Sequence, residues 1–253
     1  MTVSLKQLLI ACPLCFLAGF VDSIGGGGGI ISLPAFMLAG LPAHMAIGTN
    51  KIQSFLNTGM STYRMWKNRK VVPLLAVPTV IAAFAGSWLG AKLNLIVSEK
   101  VLSYAMIVIL PVVAAVVLSK KAFADHGDAA PVLSAKTAVT LSAIAFIVGL
   151  YDGFYGPGTG TFLIIGFVVF GKLGVGYANG HAKVVNLTTS TASMIVYLLN
   201  GQAVILLGII AGIAAMTGSY IGSGLVLKNG ARIVKPIIIL VLILLVVKIV
   251  TGF

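Results

Sequence analysis

Two aspartates occupy parallel settings in this chain, each at the end of an apolar segment and directly before a glycine-rich stretch. Asp22 precedes Ser-Ile and the five glycines 25–29, and Asp152 precedes Gly-Phe-Tyr-Gly-Pro-Gly-Thr-Gly-Thr. A carboxylate in apolar surroundings is costly, and irregular backbone inside a membrane persists only where protein buries it or where it lines a cavity. The two stretches therefore predict the paired walls of one binding site.

The chemistry that these walls favour is anion binding. A helix that begins at glycines presents bare backbone N–H groups, and its aligned peptide dipoles give that end a partial positive charge. Inverted-repeat transporters use such half-helix N-termini near the membrane midplane. The backbone predicted to contact substrate is that of Gly26, Gly27, Gly28, Gly29, Gly156, Gly158 and Gly160.

Two lysines inside apolar segments would add full positive charge to this site. Lys51 ends Gly-Thr-Asn-Lys and Lys183 ends Gly-His-Ala-Lys. Charge within a membrane segment is expensive and by default indicates function. The side chains predicted to complete the substrate site are Thr49, Asn50, Thr159, His181 and Asn186.

Asp22 and Asp152 have two alternative roles, proton coupling and helix capping. Each half supplies one aspartate and one lysine, so the empty site is near neutral. An entering anion adds negative charge, which together with desolvation favours the protonated form of a carboxyl group. In the alternative, each aspartate caps the following short helix or pairs with a lysine.

Composition identifies the class of protein that must position these residues. The chain has 253 residues, of which 59% are hydrophobic and 9% charged, and its mean hydropathy is +1.10. Too few polar residues remain to cover a soluble domain, so the prediction is an all-α polytopic membrane protein. The net charge of +12 lies mainly in short loops, which indicates membrane topology rather than nucleic-acid binding.

The chain divides into two similar halves. Apolar segments are predicted at about 5–24, 28–41, 45–66, 71–93 and 100–118, and again at 134–154, 158–171, 176–199, 202–226 and 232–251. The second segment of each half is short and begins at the glycines. The predicted domains are a first repeat at 1–118, a cytoplasmic linker at 119–133 and a second repeat at 134–253. At a shift of 132 residues, identical residues coincide: Ala46, Gly48, Lys51, Ser61 and Asn68 with Ala178, Gly180, Lys183, Ser193 and Asn200.

An odd number of segments per half predicts inverted repeats, because the second half must then enter the membrane from the other side. With the N-terminus outside, eleven basic residues face the cytoplasm: Arg64, Lys67, Arg69, Lys70, Lys120, Lys121, Lys136, Lys172, Lys228, Arg232 and Lys235. Four face outward: Lys6, Lys92, Lys100 and Lys248. This asymmetry agrees with the cytoplasmic preference of basic loops.

These motifs resemble those of the TauE/SafE family of sulfite exporter-like permeases. The resemblance lies in residues 19–29, Pro34 and 46–51 of the first half, and in 149–160 and 181–183 of the second. It implies an inner-membrane permease for sulfite, sulfonates such as sulfoacetate, or related organosulfur anions. A homodimer and protons as coupling ions are compatible with it.

Three functions remain open at this point. A secondary transporter leads, since the chain has no ATP-binding motif. An anion channel would use the same site. An intramembrane sulfur-handling enzyme or assembly factor would depend on Cys12 and Cys15, since no nucleophile–base pair or metal cluster supports it. No cofactor and no metal is predicted.

Overall fold

The computed structural model describes residues 3–97 and 131–251, and across these ranges the chain is helical. Nine helices lie within them: α1 Leu5–Gly25, α2 Gly29–Leu38, α3 Ala43–Lys67, α4 Pro73–Ile96, α5 Ala135–Phe154, α6 Thr159–Val169, α7 Val175–Leu199, α8 Ile205–Asn229 and α9 Ala231–Thr251. They match nine of the ten predicted segments to within a few residues. The predicted segment 100–118 and most of the linker 119–133 lie outside the described residues.

Five of these helices, α1, α4, α5, α7 and α8, are long and apolar enough to cross a membrane. The prediction of an all-α polytopic membrane protein is confirmed. Helix α3 contains 25 residues, the same number as α7. Each of the two helices buries seven polar side chains, among them Lys51 on α3 and Lys183 on α7.

Helices α2 and α6 are the short, glycine-led elements that the sequence predicts. They contain ten and eleven residues, which gives lengths of about 15 and 17 Å, roughly half of a hydrocarbon core about 30 Å thick. Helix α2 runs back along α1, so that its C-cap residue Ala39 lies near the start of α1. There Gln7 Nε2 donates a hydrogen bond to the carbonyl of Ala39 at 3.2 Å. Helix α6 runs back along α5, with Gly166 against Ile144.

The two breaks between long and short helices contact each other. Gly26 and Gly27 have φ of +76° and +85°, and Gly156 and Gly158 have φ of +102° and +89°, which is backbone that glycine favours. A Cβ atom at Gly26 would lie 2.1 Å from the backbone nitrogen of Thr161. The Thr161 hydroxyl donates to the carbonyl of Gly25 at 2.8 Å. Glycine is therefore required both for the turns and for their close approach.

The halves pack on each other reciprocally. Helix α1 packs on α8, and its repeat equivalent α5 packs on α4, the equivalent of α8. Small residues let these backbones approach closely. A Cβ atom added at Gly86 would lie 2.3 Å from the carbonyl oxygen of Phe146, and one added at Gly218 would lie 2.1 Å from that of Phe16. The repeat seen in the sequence thus recurs in the contacts.

Helices α3 and α7 cross in antiparallel directions. Gly48, near the start of α3, lies against the carbonyl of Gln202 beyond the end of α7. Gly180, near the start of α7, lies against the carbonyl of Lys70 beyond the end of α3. The two helices therefore run in opposite directions where they pack.

Candidate functional site

Two buried ion pairs join the halves of the chain. Lys51 Nζ on α3 lies 2.9 Å from Asp152 Oδ2 on α5, and Lys183 Nζ on α7 lies 3.4 Å from Asp22 Oδ2 on α1. Each ammonium group also donates to the backbone carbonyl of its partner aspartate. Each lysine therefore pairs with the aspartate of the other half, and the four side chains are at most 7% exposed.

The same carboxylates hold the starts of the short helices. Asp22 Oδ1 accepts a hydrogen bond from the N–H of Gly28, the residue that precedes α2, at 3.1 Å. Its other oxygen accepts from Asn57 Nδ2 at 3.0 Å. Asp152 Oδ1 accepts from the hydroxyl of Thr159, the first residue of α6, at 2.7 Å. Both aspartates are thus ion-paired and also bonded to a residue at a helix start, Asp22 to a backbone N–H and Asp152 to a hydroxyl.

A small cavity lies where the breaks meet. Its volume of about 20 Å³ is room for about one water molecule. Eleven of the predicted site residues line it: Asp22, Gly27, Gly29, Asn50, Lys51, Asp152, Gly156, Gly158, Thr159, Gly160 and Asn186. Ser54 completes the lining.

Several hydrogen-bond donors belong to residues that line this cavity. Within the described ranges, no hydrogen-bond acceptor is assigned to the N–H groups of Gly27, Gly29 and Gly160. Ser32 Oγ lies 2.6 Å from Asn50 Oδ1, which orients the amide so that its NH₂ group remains to donate. Bare N–H groups of two helix starts, an amide and an ammonium group together form the surroundings that an anion requires.

Five of the predicted site residues do not line the cavity. Gly26 and Gly28 pack against neighbouring backbone instead. A Cβ atom added at Gly28 would lie 2.6 Å from the carbonyl oxygen of Ala18. Lys183 lies behind Asp22, with which it pairs.

Thr49 and His181, the other two, hold the starts of long helices. Thr49 Oγ1 accepts a hydrogen bond from the N–H of Val204 at 2.9 Å, and His181 Nε2 accepts from the N–H of Val72 at 3.1 Å. Val204 and Val72 are the N-cap residues of α8 and α4. Thr49 and His181 are equivalent in the repeat, so one capping role is filled by two different side chains.

Two polar residues at the site are missing from the predicted set, Ser54 and Asn57. Ser54 lines the cavity and accepts a hydrogen bond from Ser190 Oγ at 3.1 Å, while Asn57 bonds Asp22. The repeat carries a signal for Ser54, because a shift of 132 residues places it opposite Asn186.

The remaining candidates are cysteines and metal ligands. Cys12 and Cys15 are free thiols on α1, and neither lines the cavity. Cys15 packs among apolar residues that include Ala11 and Leu33. No group of three or more His, Cys, Asp or Glu side chains that could hold a metal occurs in the part of the chain that the structure describes.

Membrane-length helices around half-length helices, with buried charges at the helix breaks, define a multi-pass membrane protein with a central polar site. The family described as "Sulfite exporter TauE/SafE" matches residues 11–249, and the chain belongs to this family. It is therefore a transporter-family protein and not an enzyme.

Curated relatives carry names of the same kind. "Probable membrane transporter protein ORF9" of Sinorhizobium sp is 34% identical over 92% of this chain and 88% of its own length. "Probable membrane transporter protein YfcA" of Escherichia coli K12 is 31% identical over 90% and 84%. A "Probable membrane transporter protein" of Haemophilus influenzae is 28% identical over 99% and 97%. No solved structure matches the chain significantly.

Proposed function

We propose that this protein is a secondary transporter that moves small sulfur-containing anions, such as sulfite, sulfonates or sulfoacetate, across the cytoplasmic membrane. The observation that carries the proposal is the meeting of two half-length helix starts at one cavity between two cross-paired lysines. The sulfur chemistry rests on the family's description. The transport role rests on the relatives' names and on the buried charges.

The charges give the site a means of responding to its ligand. Two lysines and two aspartates make the empty site neutral overall. An entering anion competes with Asp152 for Lys51, the ammonium group that lines the cavity. Separating this buried pair is unfavourable unless the anion replaces the carboxylate as its partner. Substrate binding and rearrangement of the pair are therefore coupled.

The size of the cavity indicates that the helix breaks must move before substrate binds. Sulfite has four heavy atoms and does not fit a cavity of about 20 Å³, which holds about one water molecule. The helix breaks must separate before an anion can bind between them. This need for movement favours a carrier over a channel, since a channel requires a continuous open path.

We propose further that the halves are inverted repeats. Reciprocal packing indicates a two-fold relation between them. Because that relation exchanges the antiparallel helices α3 and α7, its axis lies perpendicular to them, in the membrane plane. Arg64, Lys67 and Lys228 then lie at one end of the bundle, where α3 and α8 both end, and the preference of basic residues makes that end cytoplasmic.

The two ion pairs would serve as gates on opposite sides of the cavity. Lys51 and Lys183 each lie eight residues after the start of a 25-residue helix, which is about 12 Å along it. Because α3 and α7 are antiparallel, the lysines lie at depths that differ by roughly 13 Å. The Lys51–Asp152 pair thus lies toward the outer side and the Lys183–Asp22 pair toward the cytoplasm.

Flux through proteoliposomes tests the function. Radiolabelled sulfite, sulfate and sulfoacetate would be offered to vesicles that contain the purified protein. A carrier gives saturable uptake and counterflow for at least one of them, whereas a channel gives neither. Lys51→Gln is expected to abolish this uptake, with Lys92→Gln as the matched control, because Lys92 is an exposed lysine remote from the cavity. Full uptake by Lys51→Gln would refute the site.

A further inference from the structure

A second, larger cavity lies at the basic end of the bundle, apart from the central site. Its volume is about 330 Å³, and it is bounded by the ends of α3 and α8 and the beginnings of α7 and α9. None of its lining residues is shared with the central cavity. It is large enough for a small molecule, since typical ligand pockets range from about 300 to 1,000 Å³.

Basic side chains contribute to the walls of this cavity. Lys70 and Lys228 line it, and none of the described residues that line it is acidic. Lys70 Nζ lies 5.1 Å from the centre of the Tyr177 ring, which holds this lysine on the α7 side.

Helix termini of both kinds meet at this cavity. Val175 and Gly176 open α7, Ala231 opens α9, and all three line the cavity. Their N-termini each carry about half a positive charge, but the ends of α3 and α8 carry a similar negative charge at the same place. The helix dipoles therefore nearly cancel, and the lysine side chains supply the positive charge of this concave surface.

Among the described residues, the repeat-equivalent position at the opposite end of the bundle is lined differently. A shift of 132 residues places Gly176 and Val226 opposite His44 and Asn94, whose side chains meet at 3.0 Å and fill the equivalent position. Lys228 lies opposite Ile96, so the charge differs as well. The fold does not require a pocket at this position, because side chains occupy the corresponding position in the first half.

We propose that this cavity, here called the basic vestibule, is a second anion-binding site that takes a tetrahedral oxyanion. Its ligand is either a free sulfate-like or sulfonate anion or the phosphate group of an acidic lipid, which share this chemistry. Gly176 lies seven residues before Lys183 on α7, about 10 Å along the helix. An anion at this end of the basic vestibule would therefore lie about 10 Å along α7 from the Lys183–Asp22 pair.

Thiol protection measures occupancy of the basic vestibule independently of transport. Asn229→Cys, introduced into the full chain with Cys12→Ser and Cys15→Ser, places one thiol in the vestibule wall. The protein is held in nanodiscs of neutral lipid and treated with a small neutral maleimide, with inorganic sulfate as the probe. At sulfate about nine times its Kd, roughly a tenth of the sites stay open, so modification slows about tenfold.

Three further substitutions locate the bound anion. Lys228→Gln should remove most of the protection, whereas Lys67→Gln should retain it, because Lys67 is an exposed lysine at the same end that does not line the vestibule. Lys51→Gln should also retain it, since Lys51 lines only the central cavity. Protection that survives Lys228→Gln, or that is absent from Lys51→Gln protein shown to be folded by its thermal unfolding, would overturn the proposal. Loss of transport in Lys51→Gln with intact protection separates the two sites.

The lipid composition of the nanodisc distinguishes the two sources of the anion. If the vestibule binds a free anion, exchanging neutral lipid for phosphatidylglycerol leaves the sulfate effect unchanged. If it binds a lipid phosphate, phosphatidylglycerol slows modification without sulfate, and Lys228→Gln restores the rate. Either result supports an oxyanion site. Modification that neither sulfate nor phosphatidylglycerol slows would refute it.

Discussion

Lys51 and Asp152 form an ion pair 2.9 Å long between the two halves of the chain. Its repeat counterpart joins Lys183 to Asp22 at 3.4 Å. Neither half contains a complete pair, so the charges of each half are compensated only when the halves assemble. The site and the fold therefore depend on the same two contacts.

The first prediction is that the Lys51–Asp152 pair stabilises the assembled fold. Lys51→Met leaves Asp152 buried and unpaired, and loss of one partner of a buried pair costs about 3–5 kcal/mol. The double variant Lys51→Met/Asp152→Asn removes both charges and should recover much of this loss. Thermal unfolding of the purified protein in detergent measures the difference.

A surface lysine provides the control for this comparison. Lys92→Met removes an exposed ammonium group that lies 5.5 Å from the Trp88 ring centre, and such surface substitutions usually change stability by about 0.5 kcal/mol or less. Equal losses for Lys51→Met and the double variant would show that the pair does not couple the halves.

The second prediction concerns the glycines that line the cavity. Gly158 and Gly40 have the same φ of +89°, so alanine strains both backbones alike. Only Gly158 lines the cavity, and a Cβ atom at Gly40 would meet nothing within 4 Å. Gly158→Ala should therefore reduce transport far more than Gly40→Ala, as measured by proteoliposome flux at equal protein content.

Leucine substitutions at the glycine breaks are expected to impair folding as well as transport. The motif predicts that Gly28→Leu and Gly158→Leu abolish transport while expression continues. At Gly28, however, even a Cβ atom would lie 2.6 Å from the Ala18 carbonyl and 2.7 Å from Asp22 Cβ. We expect Gly28→Leu to lower the yield of folded protein as well. Equal transport by Gly158→Ala and Gly40→Ala would contradict the placement of substrate at the break.

The third prediction concerns the orientation of the two repeats. Asn68 and Asn200 are equivalent C-cap residues at the ends of α3 and α7, and both are exposed. Single cysteines at these positions, in a chain without Cys12 and Cys15, should react with a membrane-impermeant thiol reagent from opposite sides. Asn68→Cys should react only after the cytoplasmic face is exposed. Reaction of both from one side would refute inversion.

The helices and the breaks between them could be predicted from the sequence because their causes are local. Apolar length predicts α1 and α5, and the glycine runs predict where α2 and α6 begin. The partner of each lysine could not be obtained in this way. Lys51 is 29 residues from Asp22 in the sequence, yet it pairs with Asp152 in the other half. Its partner depends on how the two halves pack, which no local pattern determines.

The same limit explains Thr49 and His181. Each stands two residues before a site lysine, and the sequence therefore groups both with the substrate donors. On a helix, residues two apart point to different sides. Thr49 thus faces Val204 while Lys51 faces the cavity. Which side of α3 meets the cavity depends on how α8 packs against it, and no local pattern determines that.

The last prediction tests proton coupling. Asp22 and Asp152 both line the cavity, where an entering anion and the loss of water favour protonation of a carboxyl group. Asparagine can still accept the hydrogen bond from the Gly28 N–H or the Thr159 hydroxyl, but it cannot titrate. Asp22→Asn and Asp152→Asn should therefore fold, and at least one should lose the pH dependence of anion flux.

Flux measured between pH 5 and 8, with and without an imposed pH gradient, provides the comparison. If a carboxyl group carries the proton, an imposed gradient drives uptake in the wild-type protein and not in the decisive variant. The other variant identifies which helix start has only a structural role. Wild-type pH dependence in both variants and in Asp22→Asn/Asp152→Asn would leave the carboxylates as caps and ion-pair partners, with membrane potential or the substrate gradient driving transport.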